Sequence, residues 1–343
     1  MINTFIFLLH ILPNIVGLFL NAVLFILARY RSPHTIKKYS VLILNFAVCD
    51  FFACLTSLFV CQRIIPCGTS LFYCSEGPCQ YFGARVCYVC IGNGILVLCR
   101  SQHPDIFFSY SVMLHLYAHT LYSMLLSFSF RYYILNYRSP TRSTLKLIIL
   151  LIYIPSFIQM VAFSFADDPP EQVEPLFQAK YPHYNLTGQT ITGNINVFEW
   201  KALGTILHMT LPITPVYFCI LVLRRKIICY LNMAIMSTKT KLLHHQLLTA
   251  LSWQACLPLF YLYSVLSYAL GQLGVYHHPY MEHSTFISVG FIPALSPLAS
   301  LYFVRPYREC IRKFFLCSKK RSRSLKETSE YLKSSHSSKF FHL

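Results

Sequence analysis

Asp50 sits inside an otherwise uncharged apolar run, LNFAVCDFF, where a carboxylate needs a reason to be. At the centre of a bilayer it costs about 2.5 to 3.5 kcal/mol even on a lenient insertion scale, so it must face a polar interior. Such a group is either an ion- or proton-linked site coupled to helix movement or a hydrogen-bonded structural group. Asn45 lies five residues earlier and Asn21 falls mid-way along the preceding apolar run, so the three could share one polar network. His115 and His119 stand one helical turn apart, with Tyr122 near the same face, a spacing that suits two metal ligands. The sequence fixes no acidic or thiol third ligand, so interior hydrogen bonding is expected and neither metal nor cofactor is assigned. Arg131 closes another run, LLSFSFRYYIL. Its guanidinium either snorkels to lipid phosphates or enters an inner cleft that a cytoplasmic partner reaches. The chain has no nucleophile–base pair, glycine-rich phosphate loop or HExxH motif, so catalysis has no foothold.

The elements that position these residues are seven apolar runs: Thr4 to Ala28, Ser40 to Cys61, Ile106 to Phe130, Leu147 to Ala166, Ala202 to Leu223, Leu247 to Leu270, and Ser284 to Val304. Each has the roughly 20 residues that a bilayer core about 30 Å thick requires of a helix. A chain 55% hydrophobic and only 12% charged, with a mean hydropathy of +0.50, has too little polar surface for a soluble globule of 343 residues. The expected fold is an all-α membrane protein, a seven-transmembrane helix bundle. The net charge of +17 would suit nucleic acid, but its distribution reports membrane orientation instead. Of the 29 Lys and Arg, all but Arg63, Arg85, Arg100, Lys180 and Lys201 follow runs one, three and five or lie in the tail. The positive-inside rule therefore puts the N-terminus outside and the C-terminus in the cytoplasm. Met1 to Leu20 lacks a basic start and a small-residue cleavage site, and reads as the first span rather than a signal peptide.

The long loop from Asp167 to Lys201, assigned to the outside, carries the glycosylation acceptor Asn185-Leu186-Thr187 and is expected to lid the bundle. Of 14 cysteines, Cys61, Cys67, Cys74, Cys79 and Cys87 fall where an oxidising exterior permits disulfides, though pairing cannot be read from spacing. Prolines such as Pro155, Pro258, Pro293 and Pro297 lie within spans, where they free backbone groups and create kinks. Arg305 to Leu316 interleaves basic and aromatic residues as an interfacial helix requires, and residues 318–343 form a basic, disordered tail after a receptor unit of 1–317. Between Val86 and Cys99 an eighth span would have too few residues and would invert the charge pattern.

GLFLNAVLFIL, LNFAVCDFF, RYYIL, QACLPLFY and PALSPLASLYFVRPYR together resemble a rhodopsin-like G protein-coupled receptor. With RSPHTIKKYSVLILNFAVCD and QRIIPCGTSLFYCSEGPCQYFG the chain is most similar to the class delta family of nematode serpentine chemoreceptors, from about Leu12 to Arg312. The resemblance implies a chemosensory receptor in the plasma membrane of sensory neurons, at their cilia, that binds an environmental small molecule outside and activates a heterotrimeric G protein inside. By position Asp50 looks like the sodium-site carboxylate of such receptors, and Arg131 like the arginine of their Asp-Arg-Tyr motif, with Phe130 in place of the acid. Pro258 resembles the span-six hinge, and Ser296-Pro297 with Tyr302 the Asn-Pro-x-x-Tyr element. His115, His119, Tyr122, Tyr261 and Tyr263 are the candidate pocket groups. The long outer loop has no cysteine, so the family's usual loop-to-span disulfide cannot form, and Cys79 or Cys87 needs another partner. The family pattern runs directly from VCYVC into SVMLHLYAHTLYS, which makes Ile91 to Tyr110 look inserted, as a retained intron would be. A seven-span transporter or channel is the alternative, and it predicts a water-accessible path past Asp50.

Overall fold

A computed structural model describes residues 2–32, 36–82, 87, 110–184, 189–233 and 238–313. Asn185, the segment from Ile91 to Ser109 and the tail lie outside the described residues.

The seven runs form seven helical spans: Ile2–Tyr30, Ser40–Val60, Tyr110–Asn136, Arg142–Phe163, Trp200–Thr210 with Ile213–Met233, Thr238–Gln254 with Pro258–Gln272, and Pro279–Phe303. Span three is central and packs on spans two, four, five and six, while span seven closes the ring against spans one, two and six. That placement explains its composition. Span three is buried along most of its length, with Ser, Thr and His among its buried residues, because other helices rather than lipid surround it. Spans one, four and five instead turn Phe19, Leu150, Ile158 and Phe218 outward, the surface that acyl chains cover. Thr141 caps span four by accepting from the Thr144 amide at 3.1 Å, and Pro279 opens span seven at a first-turn position that needs no donor.

Spans five and six depart from the expected single helices. Span five is interrupted at Leu211-Pro212 and extends to Met233, well beyond Leu223. Span six breaks between Gln254 and Pro258, where the proline has no amide hydrogen to continue the ladder. Pro258 thus starts the second half of its span, as a hinge would require.

An element absent from the all-α expectation is a three-stranded antiparallel sheet: β1 (Gln62–Cys67), β2 (Ser70–Ser75) and β3 (Thr190–Asn194), in the order β1-β2-β3. It caps the end of the bundle opposite the basic loops. Gly68, at φ +58°, starts the two-residue turn between β1 and β2 as a type II′ hairpin requires. Alternation then divides the strands between two partners. Ile65, Phe72 and Cys74 pack upward on Val173 and Phe177 of the loop helix Pro170–Lys180, while Ile64, Leu71 and Tyr73 face down into the bundle. The long loop is therefore a lid, as its composition suggested, but one that rests on the sheet. Past span seven, residues 305–313 are helical, and buried Tyr307 sets its hydroxyl 2.8 Å from that of Ser32.

Candidate functional site

Beneath the sheet lies a cavity of about 100 Å³. Ile64, Leu71 and Tyr73 form its ceiling, Tyr110, Leu114 and Phe163 one wall, and Phe286 and Val289 of span seven another. Tyr117 and Tyr261 form the floor. Of the five candidate pocket residues only Tyr261 lines this cavity. His115 and His119 are buried against Tyr153 of span four, with ring centroids 4.3 and 4.8 Å away. His119 Nε2 lies 3.3 Å from Asn45 Oδ1 and 3.2 Å from the Ser123 hydroxyl, an interior hydrogen-bonded position. Tyr122 packs toward His208, and Tyr263 is exposed with its hydroxyl 2.9 Å from that of Ser284.

A buried ion pair bolts the ceiling down. Arg63 of β1 places Nε 2.7 Å and an Nη 2.5 Å from Glu282 Oε2 at the start of span seven. Tyr184 donates to Oε1 at 2.7 Å, and His277 Nε2 lies 3.1 Å from the same oxygen. Burial alone would lower the Arg63 pKa, but the Glu282 carboxylate outweighs it and holds the group above its ordinary value. Burial, and then the hydrogen bond to Glu282, push the Tyr184 phenol up. Sequence reasoning placed Arg63 only as a stray basic residue; the signal it missed was Glu282, an acid one turn before the apolar part of span seven.

Below the floor, a second, smaller cavity of about 20 Å³ is lined by Asp50, Thr120, Pro258 and Pro293, and again by Tyr117 and Tyr261. Asp50 is buried and Oδ1 accepts from the Thr120 hydroxyl at 3.4 Å, with the Ser296 hydroxyl a further partner of the carboxylate. The single network expected of Asn21, Asn45 and Asp50 is instead three junctions. Asn21 donates to the carbonyl oxygen of Pro293 at 2.9 Å, joining spans one and seven, and Asn45 donates to Ser123 at 2.8 Å, joining spans two and three. Asp50 shares the small cavity with both Pro258 and Pro293, Asn21 reaches Pro293 alone, and Asn45 pairs with span three.

The geometry is that of a receptor bundle, and the comparisons decide which one. The sequence model for "Serpentine type 7TM GPCR chemoreceptor Srd" matches residues 6–103 and 98–313. The chain belongs to this family. Serpentine receptor class delta-19 of Caenorhabditis elegans is 36% identical over 337 residues, covering 95% of this chain and 94% of that one. Serpentine receptor class delta-18 of the same organism is 38% identical over 306 residues, covering 88% and 85%. The crystal structure of squid rhodopsin shares the fold, with a TM-score of 0.61 at 11% identity over 91% of this chain and 81% of its own. The protein is thus a chemosensory G protein-coupled receptor, and membership favours that reading over transport. The two matched stretches overlap at 98–103, inside the segment that looked inserted.

At the basic end the receptor departs from the snorkelling alternative for Arg131. The side chain is buried, and its guanidinium carbon lies 3.8 Å from the ring centroid of Tyr39, which in turn stacks on Phe130 at 6.2 Å. Tyr39, in the short loop before span two, carried no sequence signal. Gln254, the last residue before the span-six break, donates to the Ser296 carbonyl at 3.1 Å and hydroxyl at 3.3 Å, beside buried Pro297. Tyr302 is exposed and turns its ring away from the bundle interior toward Phe303 and Arg308. Cys79 pairs with Cys87, which supplies the partner each lacked, and Cys61, Cys67 and Cys74 are free thiols.

Proposed function

We propose that the receptor lies in the plasma membrane of sensory neurons, at their cilia, with its N-terminus and sheet outside. There it binds a small environmental molecule in the capped cavity and activates a heterotrimeric G protein at the basic end. One observation carries this reading: Tyr117 and Tyr261 are at once the floor of the upper cavity and the walls of the Asp50 cavity that contains Pro258 and Pro293. A ligand that moves the floor moves the proline hinges of spans six and seven. Gln254 and Ser296 then carry the movement toward the basic ends of those helices, where Arg131 leaves Tyr39 and faces the G protein. Asp50 is the junction, not an acid or base, and the protein has no catalytic role. Residues 1–317 form the signalling unit, 318–343 a basic cytoplasmic tail, and Asn185 carries the glycan.

Receptor reconstituted with G protein should catalyse guanine nucleotide exchange when a member of an odorant panel is added, without solute flux in vesicles. Flux without exchange would sink the proposal. So would antibody access to a C-terminal tag on intact cells.

A further inference from the structure

The lining of the upper cavity says what can enter it and from where. Its polar groups are neutral hydroxyls, among them Thr205, Ser264, Tyr268 and Thr285, and none of its described lining residues is Asp, Glu, Lys, Arg or His. A charged guest would lose its hydration without meeting a counter-charge, so the site selects uncharged molecules. About 100 Å³ is room for a guest of roughly single-ring size.

The walls are not equally closed. Ceiling residues Ile64, Leu71 and Tyr73, span-three residues Tyr110 and Leu114, Phe163 of span four and Phe286 of span seven are buried. The ceiling is held besides by Arg63 on Glu282, by Gln272 donating to the carbonyl oxygens of Gly68 and Ser70, and by Pro66. Pro66 packs so closely on Gly271 that a Cβ there would come within 2.5 Å of its ring. The second face of the sheet is covered by the lid helix. The lining residues that keep solvent-accessible surface are Ile206, Met209 and Thr210 of span five and Val265 and Tyr268 of span six. Around that seam the outward residues are Leu207, Leu211, Leu262 and Leu266, a surface for acyl chains rather than water. At the foot of the seam the Tyr261 hydroxyl lies 3.4 Å from Met209 Sδ. The upper half of span five packs mainly on span four, and among the described residues it touches the upper half of span six little.

We propose that the guest of this cavity is a small, uncharged, lipophilic molecule that first partitions into the bilayer and then enters sideways between spans five and six. The proposal rests on the reading of this cavity as the ligand site, and its test needs no signalling, so the two can fail separately. In V289C, with the new thiol on the far wall, receptor in intact cells is exposed to neutral N-phenylmaleimide or to anionic sulfonatoethyl methanethiosulfonate, and modification at position 289 is read by mass spectrometry. The neutral reagent should react at least tenfold faster than the anionic one, and adding T210W at the seam should slow it about tenfold. L114C offers the same readout from span three if V289C does not reach the membrane. Comparable rates for the two reagents, no reaction with either, or indifference to T210W would each overturn the sideways route. Intact sideways labelling in a receptor that never drives nucleotide exchange would instead overturn the signalling role and leave the route standing.

Discussion

Removing Arg63 or Glu282 should unfasten the ceiling of the cavity, and removing both should largely restore it. The Glu282 side chain is 2% exposed and that of Arg63 11%, so neither charge has water to fall back on. R63M leaves a buried carboxylate with Tyr184 and His277 as its remaining partners, and E282M leaves a buried guanidinium stacked 5.0 Å above the Tyr184 ring. Breaking such a pair from one side costs about 3 to 5 kcal/mol, whereas replacing both by apolar groups of similar volume is often close to neutral. Hydrogen exchange of the β1 and β2 amides reports local opening of the sheet without requiring the whole bundle to unfold reversibly. Each single variant should speed exchange there by roughly a hundredfold, the equivalent of about 3 kcal/mol. R63M/E282M should return to within about 1 kcal/mol of the parent. Additive single effects, with a coupling below about 0.5 kcal/mol, would show that the pair is not what holds the sheet.

Y39L should raise ligand-independent nucleotide exchange, because a desolvated cation–π contact contributes about 1 to 2 kcal/mol to the position Arg131 now holds. Y39F keeps the ring and should stay near the parent rate, and equal effects of the two would implicate the hydroxyl instead. Q254A severs the link to Ser296, each neutral hydrogen bond being worth about 1 kcal/mol, and should reduce ligand-evoked exchange while surface expression is preserved. The Cys74 thiol in β2 is pushed up to about 12 by burial, against a weaker downward pull from Arg63. A raised folded value means that its contribution to stability is whole below the ordinary thiol pKa and is lost as the pH climbs toward 12. Peptide mass mapping after alkylation at pH 8 should find half-exposed Cys67 modified and Cys74 spared, and equal modification would refute the burial argument.

The bundle was legible because lipid imposes its own composition: an outward helix face must be apolar, and basic loops must collect at one end. The sheet was not legible because both of its faces are buried. IIPC and LFYC read as unbroken apolar runs, and the alternation that marks a half-solvated strand is missing. The same limit applies to the candidate pocket groups. His115 and His119 do share a helix face, as their spacing said, but spacing cannot tell which neighbour that face meets, and it meets span four. Asp50 was found because burial of a lone charge is costly wherever the helix turns it. The burial of Arg131 was not decided by the sequence, since its neutralising surface comes from Tyr39, nearly a hundred residues away in the chain.

The scale of the cavity also limits how strongly the resting state can be held. Moving a two-state equilibrium from 1:99 to 99:1 requires about 5.5 kcal/mol of differential affinity. The best small ligands reach about 1.5 kcal/mol per heavy atom, so a ring-sized guest of about eight atoms has roughly 12 kcal/mol at most. Nearly half of that ceiling would have to be difference in affinity rather than affinity itself. A resting state fixed by several buried ion pairs would be out of reach of such a ligand. Among the described residues, the links between the floor and the basic end are instead the Asp50 hydrogen bonds, the Gln254–Ser296 pair and the Arg131–Tyr39 stack, each worth about 1 to 2 kcal/mol. The buried ion pair lies above the cavity, where it fixes the shape the ligand must fit, and the weak contacts lie below, where the ligand must be able to win.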